Sequence, residues 1–255
     1  MVALLLVAPV FGQKAADLQK YDRYYSALRQ EIQNEVQSNE LFGYRKLPEA
    51  RRGTVEDRLR RGEVVVDGFD EEKKPNGKME DALVHHWRGT ILIPKTDLAT
   101  VLAFAQDYDN HSRYFTEDVM RSKTLRHSGN SYHVFFKFRR KKVITVCYNT
   151  EHDGIYYPLS AARQWSESRA TKIAELADCE SEKEKPVGQD HGFLWKFDSF
   201  WKFEQVGADV VIECTSLSLS RDIPFGLALI VRGFVDSIPR ESLERTLRTF
   251  VKARK

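Results

Sequence analysis

Neither a zinc site nor a disulfide framework is indicated by this sequence. Its three cysteines, Cys147, Cys179 and Cys214, are odd in number and show no C-x-x-C spacing. Cys147 and Cys214 fall inside strand-like runs and read as small core residues. A serine in a nucleophile elbow and a glycine-rich phosphate loop are both missing, so two large enzyme classes lose their signature. No internal repeat is present. Charge of one sign is barely in excess, with 40 Lys and Arg against 37 Asp and Glu. The densest basic runs are "RKLPEARRGTVEDRLRR" (Arg45 to Arg61) and "KFRRKK" (Lys137 to Lys142). The first is broken by acids and the second sits between two apolar strands as a charged hairpin turn, so nucleic acid is not an expected partner. No metal and no cofactor is expected.

A membrane span is lacking as well. The apolar run at residues 2–11, within "MVALLLVAPVFGQKAAD", is far shorter than the roughly 20 residues a spanning helix needs. Its length suits the apolar core of a secretory signal peptide, and Val10 and Gly12 supply small residues before Gln13. The basic stretch that normally precedes such a core is absent. Residues 1–12 are therefore expected to act as a weak or truncated leader, which places the protein in the periplasm or outside the cell, and otherwise in the cytoplasm.

What is present is an ordinary globular composition, 42% hydrophobic and 30% charged. Ala15 to Asn39 reads as a helix, with Leu18, Tyr21, Tyr25, Leu28 and Ile32 on one stripe. A polar connector, a short strand at Glu63 to Val66 and a charged loop at Asp67 to Asp81 follow. From Ala82 the pattern turns to long strands. "ALVHHWRGTILIP" is one, followed by a helix over "KTDLATVLAFAQDY" in which Thr96 is the expected cap and Asp97 suits the first turn. Further strands are expected at Asp118 to His127, Ser131 to Arg139, Val143 to Thr150, Arg163 to Glu175, Phe193 to Gln205 and Val210 to Ser220. Short turns join most of them, which favours an antiparallel meander and an α+β fold. The chain ends helical from Pro224, with a break expected at Ser237-Ile238-Pro239.

The stretch "FLWKFDSFWKFEQ", Phe193 to Gln205, carries six aromatics in thirteen residues. Strand alternation sets Phe193, Trp195, Phe197, Ser199, Trp201 and Phe203 on one side, and Leu194, Lys196, Asp198, Phe200, Lys202 and Glu204 on the other. The first side is expected to be buried and the second mostly wet. In the strand from Arg163 the small face of Ser166, Ser168 and Ala170 leaves room for a cavity.

The order of elements is that of a helix-grip fold. The sequence resembles the START-like superfamily over about residues 83–255. The resemblance is carried by "HHWRGTILIPKTDLATVLAFAQDYDNHSRYF", "DVMRSKTLRHSGNSYHVFFKF" and "FWKFEQVGADVVIECTSLSLSRDIPFG". It implies a curved antiparallel sheet gripping the last helix around a hydrophobic tunnel. Residues 13–81 lie outside it, as an added helix and connector. By position it makes Trp195, Phe197, Trp201 and Phe203 wall candidates, with Phe225, Leu229 and Phe234 on the helix side and Arg221 at a polar mouth. Core packing accounts for each of the apolar ones equally well.

Other polar groups carry less. His85 and His86 must face opposite sides of a strand and cannot share a metal. Asp107, Asp109 and His111, two residues apart near a helix end, could bind a metal or cap the helix, and capping is the favoured reading. Glu151-His152-Asp153-Gly154 looks like an exposed turn. The expected function is binding or transport of a hydrophobic small molecule or lipid in the tunnel. The alternatives are a cyclase- or hydrolase-type enzyme using Arg221, Tyr148 or His133, and an interaction module whose exposed Leu18/Tyr25/Ile32 stripe docks a protein partner. No catalytic residue is assigned.

Overall fold

A computed structural model describes residues 15–38, 40–68, 79–141, 145–186, 188–222 and 228–254, with backbone alone at 68, 228–236 and 253–254. The expected leader, residues 1–12, lies outside the described residues. The elements run α1 (Ala15–Gln37), α2 (Glu49–Arg60), β1 (Val65–Gly68), β2 (Ala82–Ile93), α3 (Leu98–Gln106) and α4 (His111–Tyr114). There follow β3 (Val119–Ser128), β4 (Ser131–Lys141), β5 (Thr145–Ser160), β6 (Arg163–Glu175), β7 (Lys196–Val206), β8 (Asp209–Arg221) and α5 (Ala228–Thr249). The eight strands form one antiparallel sheet ordered β1-β2-β8-β7-β6-β5-β4-β3, curved around α5 in the helix-grip arrangement. Among the described residues no helix is long and apolar enough to cross a membrane.

Both faces of the sheet are covered. On the face toward α5, Ile91, Ile93, Phe203, Ile212 and Cys214 pack with Val101 and Ala105 of α3, with Leu243 and Leu247 of α5, and with Phe250. Gly89 of β2 is where α5 comes closest to the backbone. A Cβ there would lie 2.6 Å from Leu247 Cδ1 and 3.2 Å from Leu243, side chains that are themselves buried. Gly89→Val is therefore expected to lower stability by about 1–3 kcal/mol in urea unfolding; an unchanged midpoint would mean that α5 can lift off the sheet freely.

The opposite face is where expectation and structure part. It is not wet, because α1 lies across it. Tyr21, Tyr25, Leu28 and Ile32 pack with Trp165, Phe200, Leu217 and Leu219. The stripe that an interaction module would have exposed is spent on the protein's own sheet. Polar residues of β7 are buried there too: Lys202 pairs with Glu35 of α1 and, at 2.9 Å, with Glu213 of β8, all three only 1% exposed. Asp198 accepts from the Tyr21 hydroxyl at 2.6 Å.

Four local expectations are also corrected. The segment expected to be a polar connector folds α2, while the short strand expected after it is present as β1, paired with β2 at the sheet edge. Asp97, not Thr96, caps α3, accepting from the Thr100 N–H at 2.7 Å. No break occurs at Ser237-Ile238-Pro239: α5 runs through Pro239, which removes one N–H donor while Leu243 and Leu247 beyond it stay anchored in the core. Finally, Cys147 is not a free core thiol but is bonded to Cys179, tying the start of β5 to the loop after β6; Cys214 is the buried free cysteine among the described residues.

Candidate functional site

Between the α5 face of the sheet and α5 itself lies a cavity of about 580 Å³. The register of three strands builds its wall. Trp201 on β7 stands between Ser166 of β6 and Cys214 of β8; the next row is Ser168, Ser199 and Ser216; the next sets Phe197 beside Ser218, and Ser218 beside His85 of β2. All of these residues line the cavity. The rows alternate aromatic rings with hydroxyls because each strand contributes every second residue to this face. Phe136, Tyr148, His152 and Tyr156 of β4 and β5 continue the wall, and Ile238, Ser242, Leu243 and Thr246 of α5 cover it.

Of the sequence candidates, Phe197, Trp201 and Phe203 line the cavity, with the Trp201 and Phe203 rings stacked at 6.2 Å. Trp195 does not. It packs with Tyr21, Phe200 and Leu219 in the cluster under α1. The alternation cannot be extended back to it because β7 begins only at Lys196, after an irregular segment turned by Gly192 at φ 73°. Phe225 lies outside the described residues; Leu229 and Phe234 fall within α5, where their side chains are outside them too. Arg221 lines the cavity at the sheet end where β8 stops, its N–H donating to the Gly192 carbonyl at 2.6 Å. Phe193 and Leu194 line the same end, with the Phe193 ring stacked on His191.

Of the polar groups weighed for catalysis, Tyr148 lines the cavity and His133 does not. His133 sits between Asp153 (2.7 Å) and Glu151 (3.2 Å), one residue out of phase with Phe136 and Phe138, which line the cavity. Burial pushes the Tyr148 hydroxyl well up, with Glu175 and Asp190 adding to the shift. His85 and His86 do face opposite ways. His85 Nε2 meets Ser220 Oγ at 2.9 Å, and His86 Nδ1 meets the Tyr24 hydroxyl at 2.5 Å under α1. Neither Asp107 nor Asp109 caps a helix with its side chain as expected: Asp107 accepts from the Asn110 and Tyr114 side chains, and Asp109 from the Thr124 N–H of β3. Among the described residues no group of His, Cys, Asp and Glu is arranged to hold a metal ion.

Sequence reasoning missed His111 and His152 as cavity residues. Glu151 to Gly154 is not a turn but the middle of β5, and the alternation Tyr148, Thr150, His152 is the signal that marks it as strand. Burial lowers both imidazoles to about 4, with the His133 charge adding to the effect at His152, so both are neutral at pH 7. His111 Nε2 meets the Ala105 carbonyl at 3.2 Å, which fixes the proton on that nitrogen. Arg140, which lines the cavity, pairs with Asp118 and with Ser242 of α5, and Arg245 binds the same carboxylate at 3.0 Å.

No family model matches the sequence, and no curated protein does. Solved structures similar to it include the Zhui aromatase/cyclase from Streptomyces sp. R1128, at 10% identity over 67% of this chain and 94% of that one, with a TM-score of 0.46. A STAR-related lipid transfer protein fragment from Xanthomonas axonopodis matches at 13% identity over 72% and 98%, with a TM-score of 0.44. A START superfamily protein from Mycobacterium smegmatis matches at 9% identity over 68% and 96%, with a TM-score of 0.43.

Proposed function

We propose that this protein binds a hydrophobic small molecule or lipid in the cavity between its sheet and α5. The observation that carries the reading is the cavity itself, about 580 Å³ and walled by Phe136, Phe197, Trp201 and Phe203. Pockets that enclose drug-sized ligands fall in the range of about 300–1,000 Å³ and are mainly apolar with a few convergent polar groups. A solid core would leave no such volume, since protein interiors pack at crystal density. Phe197, Trp201 and Phe203 are proposed as wall residues in contact with the occupant, and Arg221 as a polar group at the end where β8 stops. A reaction in the same space has less support, because His111 and His152 each commit Nε2 to a structural contact. The disulfide between Cys147 and Cys179 fits an exported protein in an oxidising compartment, which is the location proposed for this chain.

The test is native mass spectrometry of the purified protein, then organic extraction of anything bound, alongside the variant Ser218→Phe. The added ring would fill the space beside Phe197 and His85. A co-purifying apolar molecule is expected in the parent and at least tenfold less in Ser218→Phe, with the fold retained by circular dichroism. Protein that carries nothing and takes up neither cis-parinaric acid nor a dihydroxyanthraquinone would sink the reading.

A further inference from the structure

The cavity wall is not uniformly greasy, and its polar part has a direction. Ser168, Ser199 and Ser216 stand in register on β6, β7 and β8, so three hydroxyls follow one another at the strand spacing of about 4.8 Å. Ser199 Oγ accepts from Trp201 Nε1 at 3.1 Å, which occupies an acceptor position and leaves its O–H to donate elsewhere. The hydroxyls of Ser166, Ser216 and Ser218 belong to buried residues that line the cavity and make no hydrogen bond to other described residues.

An independent observation comes from β5. His152 is 4% exposed and lines the cavity. Its Nε2 lies 3.0 Å from Thr150 Oγ1, and that hydroxyl donates its single proton to the Phe136 carbonyl at 3.3 Å. The proton between His152 and Thr150 must then sit on Nε2. Nδ1 is left as a bare acceptor on a buried ring, with no partner among the described residues. An acceptor on a ring that lines an apolar cavity has no hydrogen bond to make there until an occupant's hydroxyl supplies one.

Taking the cavity reading as given, we propose that the Ser168–Ser199–Ser216 row and His152 Nδ1 form a hydrogen-bonding rail that selects a rigid apolar ligand bearing hydroxyl and carbonyl oxygens over a plain hydrocarbon chain. The serines donate to the ligand's oxygens, and His152 accepts from a ligand hydroxyl. A flexible acyl chain satisfies none of these groups and gains nothing from their spacing. A ring skeleton holds its oxygens at fixed separation and lies flat against Trp201 and Phe203.

The experiment compares two probes by tryptophan fluorescence titration, 2,6-dihydroxyanthraquinone and cis-parinaric acid, on the full protein and on Ser168→Ala/Ser199→Ala/Ser216→Ala. Three modest hydrogen bonds correspond to a preference of at least about tenfold for the oxygenated probe. That preference is expected to fall to less than about threefold in the triple variant and to survive in Ser216→Thr, which keeps the hydroxyl. Equal binding of both probes in the parent, or a preference that the triple variant leaves intact, overturns the rail and leaves the cavity reading standing. Binding of neither probe overturns both.

Discussion

Replacing Lys202 by methionine is expected to cost the fold about 3–5 kcal/mol, the loss typical of removing one partner from a buried ion pair. The lysine is 1% exposed and its ammonium serves two carboxylates, Glu35 on α1 and Glu213 on β8, each 1% exposed. Burial by itself would raise the Glu35 carboxyl, yet attraction from Arg88 and Lys202 outweighs it and holds the group below its ordinary value. Glu35 is therefore held in its charged form, and deleting Lys202 strands that charge in the buried space under α1. Arg88 stays nearby, 3.3 Å from Glu35 and 3.9 Å from Glu213, which limits the damage but cannot replace a direct contact to both. The double variant Lys202→Met/Glu213→Gln should unfold later than Lys202→Met, because one orphaned charge is gone while the Gly43 N–H keeps an acceptor. Lys46→Ala, removing a half-exposed partner of Glu35, should cost under about 1 kcal/mol. Urea unfolding checks all three. A loss near 1 kcal/mol for Lys202→Met would mean that water reaches the cluster and that α1 rests loosely on the sheet.

That cluster also marks how far the sequence could be read. Period-2 alternation placed Phe197, Trp201 and Phe203 on one face, and Ser166 and Ser168 opposite a space, because each of these depends only on strand geometry. The same rule assigned Asp198, Phe200 and Lys202 correctly to the other face. It could not tell that this face is covered, since the cover is a helix more than 160 positions earlier in the chain. Local polarity made the face look wet, whereas the polar groups partner one another: Lys202 with Glu35 as an ion pair, and Asp198 with the Tyr21 hydroxyl as a hydrogen bond. Trp195 was lost for a different reason: one glycine-turned residue stretch before β7 suffices to break the phase. His152 was misread because Gly154, which suggested a turn, sits within β5 beside Ser168 of β6, where a Cβ would be in ordinary contact with the Tyr108 hydroxyl at 3.6 Å. The Cys147–Cys179 pairing depends on a loop returning to β5, which spacing alone does not encode.

Acidification should expose the cavity histidines in the stability of the whole protein. His111 and His152 are lowered from 6.5 to about 4 by burial, so between those values the unfolded chain binds two protons that the folded protein refuses. Their contribution is complete above about pH 6.5 and is lost as pH falls toward 4, at about 3–4 kcal/mol apiece. Asp198 works in the other direction. Burial raises it from 3.8 to about 6 against the pull of its Tyr21 hydrogen bond, so the fold keeps a proton that the unfolded chain releases. That contribution is present below about pH 3.8 and is lost as pH rises through 6, offsetting about 3 kcal/mol. Two protons against one leave a slope of about 1.4 kcal/mol per pH unit across pH 4 to 6, and a net loss of about 4 kcal/mol between pH 6.5 and 4. Glu35, held low by Arg88 and Lys202 despite its burial, adds to the loss below its ordinary value. In His111→Gln/His152→Gln only Asp198 remains of the three groups, and the slope across pH 4.5 to 6 should reverse sign. Unfolding in urea at half-unit pH steps reads both curves. A parent protein whose stability holds level from pH 6.5 to 4.5 would mean that those two imidazoles take up protons inside the cavity without cost, and that the space they line is wet rather than apolar.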